Sequence, residues 1–151
     1  MLYSEGLRNF IDTIATKLVL ILGRFTPARK AVLDRLRDEL RRRDMVPVVF
    51  DFSKPSSRDL SETVSALAHL AQFVLVDLTD ATSVPHELES TVPHLPSVTF
   101  VPLIEDGQNI YAMFEHIERY PWVMQPITYA PATLAADLVS EIMGVVETAR
   151  H

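Results

Sequence analysis

Cysteine is absent from the 151 residues of the chain. The chain therefore has no disulfide framework, and it cannot bind a metal ion through thiolates. This absence suits a reducing compartment, so we expect a cytoplasmic protein. The length suits one domain with a single core, and an apolar fraction of 48% is too high for a disordered chain.

Long hydrophobic runs are also missing. The longest strongly apolar run, LVLILG at residues 18–23, is far shorter than the roughly 20 residues that a membrane-spanning helix needs. Glu5 and Asp12 fall where a signal peptide would be apolar, which argues against export. We therefore expect neither a membrane span nor a secretory leader.

The N-terminal segment has an amphipathic pattern. Four of its apolar residues recur at helical spacing: Leu7, Phe10, Ile11 and Ile14. The pattern predicts a helix within residues 1–16, ahead of an α/β domain at residues 17–151. We expect the apolar stripe to pack on its own domain, and the alternative is that it docks on a partner or on a second copy of the chain.

An excess of positive charge is the third absence. Fourteen basic residues stand against 20 acidic ones, and the formal net charge is −6. The only basic tract is Arg41-Arg42-Arg43. An acidic chain without basic tracts is a poor binder of the phosphate backbone, so we expect no nucleic-acid partner.

Apolar runs alternate with helical patterns along the rest of the chain. Five runs are typical of strands: 17–23, 45–52, 73–78, 97–104 and a short one within 122–129. Helical patterns cover 26–44, about 56–72, about 85–92, 109–120 and the segment from Pro131 onwards. This alternation predicts right-handed crossovers and a mostly parallel sheet with helices on both faces. We expect a flavodoxin-like three-layer α/β sandwich with strand order 2-1-3-4-5.

Single residues refine this prediction. Pro47 and Pro126 place the second and fifth strands at sheet edges, because proline cannot donate a ladder hydrogen bond. Thr26 is a predicted N-cap, with Pro27 in the first helical position. The last helix should bury one face: Leu134, Leu138, Ile142 and Val145.

Carboxylates collect where the predicted strands end. Ligands of open α/β sheets bind at this carboxyl edge. Five acids lie at or just past strand ends: Asp51, Asp77, Asp80, Glu105 and Asp106. Glu87 falls in the first turn of the short helix after the third strand. The edge is therefore the predicted functional end of the sheet.

The acids admit several interpretations. Asp77 and Asp80 suit turns and helix N-termini, where aspartate commonly accepts backbone hydrogen bonds. A metal site is disfavoured, because no spacing matches a known loop and His86 has no histidine partner at helical spacing. A receiver-type phosphoacceptor is rejected, because no lysine follows Lys54.

Glycosidic chemistry on a nucleotide is the remaining interpretation. Cleavage of NAD releases neutral nicotinamide from a cationic pyridinium, so the leaving group needs no general acid. One carboxylate that stabilises an oxocarbenium-like centre could suffice. Arg24, Lys54 and Arg58 lie in the loops after the first two strands and could pair with the diphosphate.

The chain resembles a bacterial TIR-like (Toll/interleukin-1 receptor-like) domain over residues 17 to about 130. The resemblance is carried by KLVLILGRFTPARKAVLDRLRDEL, VPVVFDF, LSETVSALAHLAQFVLVDLTD and SVPHELES. DFSKPSSRDLSETV and MFEHIERYPWV are more narrowly similar to a TIR-like module at the end of larger bacterial proteins, such as pentapeptide-repeat proteins.

The resemblance implies a function and a site. Enzymatic TIR domains hydrolyse or cyclise NAD with the glutamate of a Glu-Leu pair, which falls on Glu87 here. Their substrate lies between the loop after the first strand, here residues 23–25, and the BB loop, here residues 51–58. The resemblance also implies self-association, and many TIR domains are non-catalytic signalling adaptors. Nucleoside deoxyribosyltransferases have a related sheet and a comparable glutamate, so they remain an alternative.

These observations predict a pocket over the carboxyl ends of the first three strands, with no bound metal and no resident cofactor. Glu87 is the predicted catalytic carboxylate. The predicted substrate-binding residues are Gly23, Arg24, Phe25, Asp51, Phe52, Lys54, Arg58, Asp77 and Asp80. The alternative function is a non-catalytic TIR-like module that self-associates in signalling.

Overall fold

The computed structural model describes residues 5–15, 17–51, 60–79, 91–108 and 117–149. Most of the two helices predicted at 85–92 and 109–120 lies outside these residues.

The described strands form one parallel sheet. They are β1 (Leu18–Gly23), β2 (Val46–Asp51), β3 (Phe73–Asp77), β4 (Phe100–Glu105) and β5 (Ile127–Tyr129). Their order is β2-β1-β3-β4-β5, and all four pairings are parallel. The predicted strand order and parallel sheet are confirmed.

Helices pack on both faces of this sheet. The described helices are α1 (Glu5–Ala15), α2 (Lys30–Arg42), α3 (Leu60–Leu70) and α4 (Ala135–Ala149), with 3₁₀ turns at Pro27–Arg29 and Val92–His94. The two cores are covered by α3 on one face and by α2 and α4 on the other. Along β1, Leu20 and Leu22 join the core beneath α3, whereas Val19 and Ile21 join the core shared with α2 and α4. Successive strand residues point to opposite faces, so a continuous apolar run is what a strand buried on both faces requires.

Two prolines are tolerated in this sheet because the nitrogen of each one points to a side of its strand where no ladder hydrogen bond is formed. The Val46 amide donates to the Lys17 carbonyl at 2.8 Å, so the next residue, Pro47, faces the free edge of β2. The Phe100 amide donates to the Trp122 carbonyl at 2.9 Å, on the side of β4 that pairs with β5. The nitrogen of Pro102, two residues further along, points to the same side. Residues 124–126 form no ladder there, between an isolated bridge at Val123 and the start of β5.

Of two predicted helix starts, one is confirmed in position and the other is wrong. Thr26 stands at the N-cap of a 3₁₀ turn with Pro27 in its first position, and α2 follows from Lys30. Thr26 makes no side-chain capping bond, and its carbonyl accepts from the Arg29 amide at 2.8 Å. The last helix begins at Ala135 rather than at Pro131, since a turn at residues 130–133 is closed by two hydrogen bonds. Leu134 is consequently 68% exposed, and the buried face of α4 consists of Leu138, Val139, Ile142 and Val146.

The predicted N-terminal helix is present as α1, but the expectation that its stripe packs on its own domain is wrong for three residues. Leu7, Phe10 and Ile11 are 40%, 61% and 41% exposed. An exposed run of large apolar side chains is unusual in a monomer. Among the described helices, none is long and apolar enough to cross a membrane.

Candidate functional site at the carboxyl edge of the sheet

The strand order places the end of β1 between the ends of β2 and β3. Gly23 lies in register with Asp51, and Leu22 lies in register with Val76. Asp77 therefore follows at the level of Gly23. The strand order switches between β1 and β3, because β1 is followed along the chain by β2 on one side and β3 is followed by β4 on the other. Ligands of such sheets bind at this switch point. Three residues of the predicted pocket are thus brought together.

The loop after β1 folds back over this point. The Phe25 amide donates to Asp51 Oδ1 at 3.2 Å. A Cβ atom built on Gly23 would lie 2.8 Å from Phe25 Cζ and 3.1 Å from Asp77 Cβ. Glycine is required here by close approach, because any larger residue would push the Phe25 ring away. Arg24 is half-buried in the same loop.

Arg29 forms the centre of a buried polar cluster next to this point. Its side chain is 6% exposed, and its guanidinium donates to Asp77 Oδ2 at 2.7 Å, to Glu105 Oε2 and to the Tyr129 hydroxyl. These three partners come from β3, β4 and β5. Among the described residues, no partner is found for Arg29 Nε. We call Arg29, Asp77, Thr79, Glu105 and Tyr129 the Arg29 cluster.

Hydrogen bonds among the other members complete the Arg29 cluster. The Tyr129 hydroxyl donates to Asp77 Oδ2 at 2.8 Å, and Asp77 Oδ1 accepts from the Thr79 amide at 2.9 Å. The Thr79 hydroxyl accepts from the Glu105 amide at 2.9 Å. Asp77 therefore caps the turn after β3, as one sequence interpretation proposed, and both of its oxygens accept hydrogen bonds from within the protein.

Burial and charge fix the protonation of two members. Burial opposes the charge of Arg29, but the Asp77 carboxylate and the hydrogen bonds to Tyr129 and Asp77 outweigh it and raise the pKa of Arg29. Burial and the Asp77 carboxylate raise the pKa of Tyr129 well above its ordinary value. The guanidinium is thus cationic and the phenol is neutral, which allows both groups to donate to Asp77.

The structure brings together part of the predicted site. Gly23, Phe25, Asp51 and Asp77 meet at the end of β1, with Arg24 in the same loop. The other predicted site residues lie outside the described residues: Phe52, Lys54, Arg58, Asp80 and Glu87. In the described part of the chain, no group of three or more histidine, aspartate or glutamate side chains could hold a metal ion.

Sequence reasoning missed Arg29 and Tyr129. A signal for Arg29 was present, because Arg29, Leu33, Leu36 and Leu40 share one spacing of four, three and four residues. A charged residue on the apolar stripe of a helix points to a buried partner. Tyr129 carried a weaker signal, which is the alternation of apolar Ile127, polar Thr128 and aromatic Tyr129.

Comparisons with known proteins bear on the fold. No protein-family model matches the chain, and no curated protein matches it. Among the solved structures that match is the crystal structure of the Francisella novicida lysine decarboxylase LdcF, with a TM-score of 0.61 and 16% sequence identity. The match covers 89% of this chain but 17% of that chain. At this identity the similarity shows the flavodoxin-like α/β fold alone.

Proposed function

We propose that the chain is a TIR-like domain that cleaves the N-glycosidic bond of NAD or a related nucleotide, with Glu87 as the key carboxylate. The observation that carries the proposal is the meeting of Gly23, Phe25 and Asp51 at the end of β1, next to the switch point between β1 and β3. The glycine lets the Phe25 ring lie against the end of β1, an aromatic ring can stack on a base, and a carboxylate can accept from ribose hydroxyls.

The Arg29 cluster removes Asp77 from the candidates for the reacting carboxylate. Asp77 already accepts hydrogen bonds from Arg29, Tyr129 and Thr79, and it is 8% exposed. A carboxylate that stabilises a developing ribosyl cation must face the ligand and be ionised. Asp77 does not meet the first condition, so the reacting carboxylate has to come from another segment. Glu87 follows β3 by ten residues and is the residue that the TIR resemblance selects.

The remaining roles follow from the chemistry of the nucleotide. The proposal assigns three basic side chains to the negative charge of the diphosphate: Arg24, Lys54 and Arg58. Asp51 and Asp80 accept from ribose hydroxyls, and Phe25 and Phe52 contact the rings. Nicotinamide leaves as a neutral molecule, and water attacks the anomeric carbon of the ribosyl cation, losing one proton to solvent.

The test is NAD consumption by the purified chain, with and without a crowding agent. Glu87→Gln removes the charge at nearly constant shape, and we expect it to lower turnover at least about a hundredfold while leaving the fold intact. Glu89→Gln is the matched control, since residues two apart on a helix point to different sides. Full activity in Glu87→Gln, or no NAD consumption by the wild type in either condition, would contradict the proposal.

A second candidate function is a non-catalytic, self-associating signalling module. The specific observation that favours it is the exposed apolar face of α1, formed by Leu7, Phe10 and Ile11. Burying such side chains stabilises an interface by about 1.5–3 kcal/mol for each one that is fully covered. The two functions are compatible, because an enzyme can also require assembly.

A further inference from the structure

The Arg29 cluster joins a loop to three strands through one side chain. Arg29 ends the 3₁₀ turn Pro27–Arg29, and its amide is bonded to the Thr26 carbonyl at 2.8 Å. Its guanidinium reaches Asp77 on β3, Glu105 on β4 and Tyr129 on β5. The C-terminal end of the loop at residues 24–26 is therefore anchored to the edge of the sheet.

The N-terminal half of the same loop is anchored separately. The Phe25 amide is bonded to Asp51 at the end of β2, and the Phe25 ring lies against Gly23. The loop is thus held by one carboxylate on each side, Asp51 directly and Asp77 through Arg29. A loop of three residues that is fixed at both ends keeps a single conformation more readily than one fixed at one end.

Stability alone does not account for the choice of arginine at this position. One buried guanidinium faces two carboxylates whose side chains are 8% and 22% exposed. Replacing such buried ionic groups by apolar ones is often neutral or stabilising in other proteins. What arginine provides is a planar fork that contacts two carboxylates in fixed directions, which a lysine or an apolar residue does not provide.

We propose that Arg29 is a positioning residue that holds the loop at residues 24–26 in the conformation that receives the ligand. The part of this inference that concerns catalytic activity rests on the proposed nucleotide-cleaving function, and the part that concerns the loop conformation does not. Arg29 is buried and does not touch the ligand itself. It acts through Arg24 and Phe25, because it anchors the C-terminal end of their loop to the sheet.

Amide hydrogen exchange measured by NMR tests the inference without any assumption about the substrate. In Arg29→Met, well below its melting temperature, the Phe25 and Arg29 amides should exchange at least about tenfold faster than in the wild type. The amides of Val74 and Phe100, which are bonded within the sheet, should not change. Arg29→Lys keeps the charge but lacks the planar guanidinium fork. Compared with Arg29→Met, it should restore much of the melting temperature and little of the protection of the loop amides.

Two further variants complete the design. Arg35→Met is the matched control, because Arg35 is exposed on α2 and donates to the Pro131 carbonyl away from the loop. If Arg29→Met alone fails to fold, the uncharged variant Arg29→Met/Asp77→Asn/Glu105→Gln removes the unpaired carboxylates. That variant should fold, and its Phe25 amide should still exchange rapidly.

The activity readout separates positioning from a general loss of structure. With NAD as substrate, Arg29→Met should raise KM about tenfold and change kcat little, because the loop binds parts of the substrate remote from the reacting bond. Wild-type protection of the Phe25 amide in both the Met and the uncharged variant would overturn the inference. A wild type that leaves NAD intact would overturn the proposed function, and the exchange result would still decide the role of Arg29.

Discussion

The guanidinium of Arg29 is shared by side chains from three strands, and this sharing gives two acids at the carboxyl edge, Asp77 and Asp51, different surroundings. Asp77 is held inside the Arg29 cluster, whereas Asp51 lies at the half-buried end of β2. The two acids cannot be told apart from the sequence around each one, since both come at the end of an apolar run. Their different surroundings depend on Arg29, which comes from a different part of the chain.

Tyr129 gives the cluster a measurable pH dependence. Burial and the Asp77 carboxylate raise the pKa of Tyr129 above its ordinary value of about 10. Below pH 10 the phenol is protonated in both the folded and the unfolded chain. Above that pH the unfolded chain releases the proton first, so the folded state binds more protons and its stability falls as the pH rises.

We therefore expect Tyr129→Phe to flatten the alkaline loss of stability. The wild type should lose up to about 1.4 kcal/mol per pH unit more than the variant above pH 10. At neutral pH the variant should be less stable by about 1.5–3 kcal/mol, because Asp77 loses a donor. Denaturant unfolding from pH 7 to 11.5 checks this. Tyr120→Phe controls for removing a phenol elsewhere, and equal alkaline slopes in wild type and Tyr129→Phe would contradict the argument.

At the scale of elements, periodicity predicted each described strand to within a few residues, and it failed at the start of the last helix. The strands were found because buried strands in parallel sheets are continuous apolar runs. Pro131 misled because a local turn precedes α4, and the hydrogen bonds that close such a turn leave no periodic trace in the sequence. Arg29 was missed for a related reason, since its side-chain contacts join residues 48 to 100 positions apart.

The element α1 carries a prediction about association. Its stripe of Leu7, Phe10 and Ile11 is exposed, so a second copy of the chain can cover it. We expect the wild type to self-associate at high concentration in light scattering. Phe10→Glu should shift it to monomer, because a charge in an apolar interface is costly to desolvate.

Leu134 offers a matched control for this prediction, since it is 68% exposed just before α4. Leu134→Glu changes the charge equally and should leave the association unchanged. A wild type that is strictly monomeric, or equal dissociation by the two variants, would show that α1 is not the interface.

At the scale of the whole molecule, the carboxyl edge has two unlike halves. Over β3, β4 and β5 the edge is filled by the Arg29 cluster, whose members hydrogen-bond to one another. Over β2 and β1 it presents Asp51 and the loop that carries Phe25. A ligand at this edge should therefore approach the switch point between β1 and β3 from the β2 side.

The central claim is that a nucleotide binds over the ends of β1 and β2, and a titration of NAD followed by amide chemical shifts tests it most directly. Glu87→Gln is the protein to use, because it keeps the substrate intact if Glu87 is catalytic. We predict shifts at Gly23, Phe25 and Asp51, with the Tyr129 amide and the amino-edge Val46 amide unaffected. No shift at Gly23 and Asp51 at millimolar NAD, or shifts confined to the amino edge, would contradict the account.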